Sequence, residues 1–194
     1  MLYFRTVNSR FTDIPFGWVN LEFDKGKTSM ENISNSTEAL KQAFRRHASG
    51  VCVITLNNAE GEPVGFTATS VTSLGSDPAL ATFNVARGAS SWPGLKSAEY
   101  VSIQMLNESS LALAQKMSQD HTKRFLDDDW FVHEKTGLPI FHKVNAVLIG
   151  RIIERHEVAA NAVIVVEIIE GLLAEELPSL LYHQRGYVIP GDRI

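Results

Sequence analysis

Side chains able to do chemistry gather in two short stretches of this 194-residue chain. In Val64-Gly65-Phe66-Thr67-Ala68-Thr69-Ser70-Val71-Thr72-Ser73-Leu74, the small residues Thr67, Ala68, Thr69 and Ser70 set hydroxyl donors at a strand end. Their size lets a flat ligand reach the backbone amides, which suits an anionic or amide-rich cofactor. The same threonines also fit an ordinary surface strand, where β-branching is favoured. In Arg87-Gly88-Ala89-Ser90-Ser91, a glycine, a guanidinium and two hydroxyls stand at a helix start, where a phosphate can be held. A helix cap beside a surface arginine would read the same way.

Other chemistries lack their residues. There is no G-x-G-x-x-G fingerprint, no P-loop and no G-x-S-x-G elbow. His47, His121, His133, His142, His156 and His183 form no H-x-H or H-x-x-x-H pair, so no metal site is expected. Asp127-Asp128-Asp129 lacks the alternating spacing of a calcium loop and reads as solvated surface. The single cysteine, Cys52, rules out an intrachain disulfide, a redox dithiol and a cysteine-built zinc site; its apolar setting reads as core.

The scaffold follows from periodicity. Residues 1–35 carry aromatics without period (Tyr3, Phe4, Phe11, Phe16, Trp18, Phe23) and read as an N-terminal arm; residues 36–194 form the domain. Asn35-Ser36-Thr37-Glu38 caps a helix with Leu40, Ala43, Phe44 and His47 on one side. Strands are expected at Val51 to Leu56, Val64 to Thr69, Leu80 to Val85, Tyr100 to Leu106, Ala146 to Arg155 and Ala162 to Ile169. A closing hairpin follows, Leu180 to His183 and Tyr187 to Ile189. Short helices are expected after Pro93 and over Ser109 to Met117, with Gly75 to Pro78 as a loop and Asp120 to Gly137 irregular. Many strands and few helices predict a mainly β fold, an antiparallel barrel with capping helices.

Several ordered motifs carry a resemblance. Phe44-Arg45-Arg46-His47-Ala48-Ser49-Gly50-Val51-Cys52-Val53-Ile54-Thr55, then Gly65 through Ser73, Asp77-Pro78-Ala79-Leu80 and Asn84 through Ser91 are similar to the flavin reductase-like family. These are FMN-binding split-barrel proteins, among them the small reductase components of two-component flavin monooxygenases, and the resemblance runs from about Ala39 to Tyr187. It implies that Thr67, Ala68, Thr69 and Ser70 line the isoalloxazine and ribityl chain, and that Asn84, Arg87, Ser90 and Ser91 surround the ribityl-phosphate end. It implies that Phe125, in the pair Arg124-Phe125, approaches the flavin, and that the Leu181 to Tyr187 hairpin matches the family's closing segment.

By the same resemblance the activity is hydride transfer from NAD(P)H to FMN, with FAD as the alternative flavin. The chain would work as a cytoplasmic homodimer able to supply a monooxygenase. One position departs from the pattern: family reductases usually carry Gly-Asp-His before the last long strand, and this chain has Ala159-Ala160-Asn161. Asn161, at the family's catalytic histidine position, donates and accepts hydrogen bonds but does not titrate near neutrality. FMN binding is little affected by that change, whereas nicotinamide use is open. The alternative reading is an FMN-binding electron carrier that does not use NAD(P)H directly. His156, five residues earlier, is a titrating substitute if the loop is shifted, against the plainer reading of a solvated surface histidine.

Composition agrees with a small-molecule site. A net charge of -4 with no dense Lys/Arg block gives nucleic acid no phosphate-neutralising stripe. Runs such as Val163-Ile164-Val165-Val166 fall far short of the ~20 apolar residues of a membrane span. The start Met1-Leu2-Tyr3-Phe4-Arg5 has no secretory pattern, so a cytoplasmic location is expected.

Overall fold

The computed structural model describes residues 30–127 and 129–191, so the aromatic positions of the expected arm lie outside the described residues. In chain order the elements are α1 (Ser36–Arg46), β1 (Ser49–Gly50), β2 (Cys52–Asn57), β3 (Pro63–Ala68), β4 (Thr72–Ser76) and β5 (Ala79–Ala86). Next come α2 (Trp92–Ser97), β6 (Tyr100–Leu106), α3 (Leu111–Ser118), β7 (Trp130–Val132) and β8 (Pro139–Phe141). The chain continues through β9 (Val144–Val158), β10 (Asn161–Leu173), β11 (Leu181–His183) and β12 (Gly186–Val188).

Seven antiparallel strands form the main sheet in the order β3-β2-β6-β9-β10-β5-β4. Its two end strands, β3 and β4, are joined by residues 69–71 alone. A flat sheet would set those strands six spacings apart, about 29 Å. The four backbone steps from Ala68 to Thr72 reach at most about 14 Å. The sheet therefore curls until its ends meet. Phe66 of β3 and Phe83 of β5 accordingly pack with ring centroids 6.1 Å apart. Among the described residues no ladder closes this seam; the Ser70 hydroxyl bridges it, accepting from the Asn84 N–H at 3.0 Å and donating to the Asn84 carbonyl at 3.4 Å. This is the expected antiparallel split barrel.

The curl divides the core in two. Cys52, Ile54 and Leu56 of β2 point into the barrel with Val101, Ile103, Phe83, Ile164 and Val166, and Trp92 and Leu95 of α2 plug one end. On the other face Val53, Leu106, Val147 and Ile149 are covered by Leu113, Ala114 and Met117 of α3 and by Ile140 and Phe141 of β8. Strand β2 is thus apolar on both sides, which is why it reads as a continuous run rather than an alternation. Burial pushes the Cys52 thiol up to about 12, in keeping with its reading as core.

A buried polar knot fastens β8 to the sheet. The Gln104 amide donates to the Ser102 hydroxyl at 2.8 Å and the Pro139 carbonyl at 3.0 Å, and its oxygen accepts from the Phe141 N–H at 2.8 Å. Thr55 Oγ1 lies 2.6 Å from both Ser102 Oγ and the Pro139 carbonyl. Where β9 crosses β10, Gly150 is required by close approach: a Cβ there would sit 2.1 Å from Val166 Cγ1 and 3.1 Å from the Glu167 carbonyl.

Three strands depart from the sequence reading. Gly75 and Ser76 belong to β4, and only Asp77 and Pro78 make the turn; as an edge strand of Thr, Ser and Gly with one exposed leucine, Leu74, β4 has no apolar alternation to announce it. The stretch expected to be irregular contains β7, which pairs with the equally short β8. Within it, Asp127 and Asp129 hold Lys116 Nζ at 3.3 and 3.0 Å. Among the described residues no helix is long and apolar enough to cross a membrane.

Gln104→Ala strands the Phe141 N–H and empties the knot, and we expect about 2–4 kcal/mol of lost stability in urea unfolding. Because only the thiolate reacts, Cys52 should resist iodoacetamide in the folded protein at ~pH 8 and react only on unfolding.

Candidate functional site

A cleft of about 280 Å³ opens along the barrel seam, walled by β3, β5, the loop before α2 and the end of α3. Its lining includes Thr67, Asn84, Ser90 and Ser91 from the sequence reading, together with Phe66, Met117, Ser118 and Arg124. The curl of the sheet is what brings β3 opposite β5 here. Glycine at position 65 allows the third wall: a Cβ would meet Met117 Cε at 2.4 Å and Phe125 Cζ at 2.9 Å, so β3 lies hard against α3 and the segment after it.

The expected cofactor residues take different positions. The Thr67 hydroxyl donates to the Ala114 carbonyl at 3.0 Å and pins β3 to α3. Ala68 is buried in the barrel core, Thr69 is exposed on the short link, and Ser70 clamps the seam. Asn84 is exposed at the cleft with its backbone held by Ser70. Ser91 is buried, and its hydroxyl makes no cap to α2, so it is not spent on the helix start.

Arg87 does not line the cleft. Its N–H donates to the Ala160 carbonyl at 2.8 Å, its Nη1 to the Ala159 carbonyl at 2.9 Å, and its Nη2 pairs with Glu157 at 2.7 Å. It staples the cleft loop to the β9–β10 turn, where Ala159 is in the left-handed region at φ +49°. Phe125 packs below the cleft wall, stacked on Phe141 at 5.8 Å and edge-on to Trp130 at 5.7 Å.

Arg124 lines the cleft in front of Phe125, and the hydroxyl pattern alone gave no reason to single it out. Its Nη1 donates to the Gly65 carbonyl at 2.6 Å and its Nη2 to the Gln119 carbonyl at 2.7 Å. Its Nε is shut from solvent and has no hydrogen-bond partner among the described residues. Burial pulls the guanidinium below the ordinary arginine pKa. An orphaned cationic donor in a cleft wall calls for an acceptor supplied by a ligand. Met117 and Ser118 also had no signal in sequence, since they matter only through the folding of α3 over β3, and Phe66 reaches the cleft because the curl sets β3 against β5.

Asn161 begins β10 and is exposed. It pairs with Ala86, and Val163 pairs with Asn84. Cross-strand partners share a face. Asn161 therefore lies on the face of β5 that carries Asn84 and Ala86, at the rim of the cleft. His156 pairs with Val163 and shares that face, two strand spacings or about 10 Å from Asn84. Its Nε2 lies 2.5 Å from Glu154 Oε2. Among the described residues no group of three His, Cys, Asp or Glu could hold a metal ion.

Comparison with known proteins now bears on this geometry. Residues 44–190 match the family model described as a flavin reductase like domain. The chain belongs to the flavin reductase-like family. Among relatives of this flavin reductase-like protein, an NADH:FMN oxidoreductase of Rhodococcus qingshengii is 35% identical, the match covering 77% of this chain and 80% of that one. A stachydrine N-demethylase reductase subunit of Rhizobium meliloti is 33% identical over 78% of this chain and 65% of the relative. A solved flavin reductase domain protein from Arthrobacter sp. FB24 is 40% identical with a TM-score of 0.77, covering 81% of this chain and 98% of that one.

Because both partners of the Arg87 ion pair are more than two-fifths exposed, Arg87→Ala should reduce global stability by less than about 1 kcal/mol. It should nonetheless speed hydrogen exchange at the Arg87 amide, which donates to the freed β9–β10 turn.

Proposed function

We propose that the seam cleft binds FMN and that the protein is an NAD(P)H-dependent flavin reductase. The observation that carries this reading is the cleft itself, lined by Ser90, Ser91 and Arg124 in a flavin reductase-like chain, with the buried Arg124 Nε left without a partner among the described residues. These donors suit a ligand with a phosphate and a hydroxylated chain. FMN, when bound, supplies the ring that accepts hydride from reduced nicotinamide. FAD is the alternative flavin, sharing the same ribityl-phosphate end.

The chain's own residues hold and orient. Ser90 and Ser91 take the phosphate-ribityl end, with Asn84 beside them on β5. Backbone groups of Thr67, Ala68 and Thr69 meet the polar edge of the ring where the barrel is split. Asn161, on the same face as Asn84, offers an amide that fixes a carboxamide-bearing partner by hydrogen bonds without exchanging a proton. Arg87 acts as a positioning residue by holding the Asn161 turn against the cleft loop. Catalysis then rests on alignment of donor and acceptor, which needs no protein acid.

The names of the relatives support NADH as donor and a reductase component serving a separate oxygenase. A cytoplasmic location goes with that supply role. A homodimer is supported by apolar side chains left exposed on β9 and β10, namely Ile153, Ile169 and Leu173; its test is sedimentation at the mass of two chains. The second reading, an FMN-binding electron carrier fed by another protein, is favoured by Asn161 alone.

Titration with FMN followed by NADH or NADPH, with absorbance of the reduced nicotinamide recorded, separates these readings. We expect saturable FMN binding, weakened about tenfold by Ser91→Ala, and nicotinamide oxidation that requires flavin. Binding without oxidation leaves the carrier, and absence of binding overturns both. Asn161→His should raise turnover where this rim meets the nicotinamide, with an unchanged rate pointing to another donor position.

A further inference from the structure

A second cleft, of about 330 Å³, shares no lining residue with the seam cleft and lies between α1 and the β11–β12 hairpin. Its walls carry Lys41, Arg45, Arg185, His183, Phe44 and Tyr182, and no Asp or Glu lines it among the described residues. In a chain of net charge -4 this is a concentration of positive charge against the overall sign. Lys41, Arg45 and Arg185 form no ion pair among the described residues, whereas Arg87, Lys116, Lys135 and Arg151 all do. Glu38, one turn before Lys41, accepts instead from the Gln42 amide at 3.0 Å. Among the described residues, nothing neutralises these cations.

Two further features mark the cleft as a built one. The Gln184 N–H donates to the Arg45 carbonyl at 3.0 Å, which fixes the hairpin tip on the last turn of α1. At that tip Gln184 and Arg185 are both in the left-handed region, at φ +49° and +66°. Hairpins with two such residues ordinarily use Asn and Gly there. Arg185 keeps a backbone conformation that a Cβ disfavours, and it stands in the cleft wall. Beside it, Phe44 is 65% exposed. An exposed ring among unpaired cations is a platform for a planar heterocycle joined to phosphate.

We propose that this cleft takes the adenosine-diphosphate end of a dinucleotide, the base against Phe44 and Tyr182 and the phosphates on Lys41, Arg45 and Arg185. The assignment rests on the dinucleotide use of the proposed reductase reading. Two substrates carry that group, the nicotinamide dinucleotide and FAD, and their shared chemistry is what the cleft fits.

Calorimetric titration of the full chain with 5′-ADP tests the site without any turnover. We expect saturable binding that weakens about tenfold in Arg185→Ala and again in Lys41→Ala, one charge-assisted contact each. Adenosine lacking phosphate should bind far more weakly. Both side chains are exposed, and an unchanged urea midpoint will show that the variants fold. No saturable ADP binding, or the same affinity in the variants, overturns the proposal even in a protein that proves to be an active reductase. Paired substrates then identify the source. If the group belongs to the donor, Arg185→Ala raises KM for NADH but not for reduced nicotinamide mononucleotide. If it belongs to FAD, the variant weakens FAD but not FMN. A variant that changes neither preference overturns the dinucleotide assignment.

Discussion

Three residues between β3 and β4 constrain everything else in this molecule. Strands at opposite ends of a seven-stranded order cannot be that close in a flat sheet, so the curl is a covalent necessity before any side chain packs. The hydrophobic interior then fills the space the curl encloses, with Phe66 and Phe83 meeting across the seam. Because a ladder does not run through the seam, backbone polar groups there must find other partners. Ser70 supplies one, and the stretch left unladdered is the cleft that Asn84 and Thr67 border. In this barrel the candidate site occupies the place where closure is incomplete.

The walls of that cleft are held by contacts that each serve two elements. Arg124 joins β3 to the end of α3 through carbonyls on both. Arg155, on β9, donates to the carbonyls of Leu95 and Ala98 and so secures the far end of α2, whose near end carries Ser91. The knot around Gln104 fixes β8 and thereby Phe141, on which Phe125 stacks. Positions within the cleft thus depend on polar contacts well behind it, and little of the lining comes from a self-supporting loop.

How much of this could be read in the sequence follows the length scale of each feature. The long strands and capped α1 were legible because their periodicity and cap, Asn35 accepting from the Glu38 N–H, are local. Thr67, Ser90 and Ser91 were legible as site candidates because hydroxyls cluster at strand and helix ends, a pattern an ordinary strand or cap shares, and Asn84 was reached through the family resemblance alone. Arg87 carries the same local signature as a phosphate ligand, and its turn toward Ala159 and Glu157 depends on a hairpin more than seventy residues away. Arg124 was hidden for the opposite reason, since its value lies in a buried, unpaired Nε that no spacing encodes. Strands β4, β7 and β8 escaped notice because they are short and their pairing is dictated by neighbours.

The two edges of the open seam carry a further consequence, for behaviour in a crowded solution. A sheet edge with free N–H and C=O groups invites a strand from another chain to add to it. Here one edge strand begins with Pro63, which has no N–H to offer, and the other, β4, is short, bulged between Ser73 and Gly75, and mostly Thr, Ser and Gly. Neither is a long, flat, apolar template for fibril growth. A barrel can therefore stay open enough to receive a small planar molecule while remaining a poor docking strip for another copy's backbone.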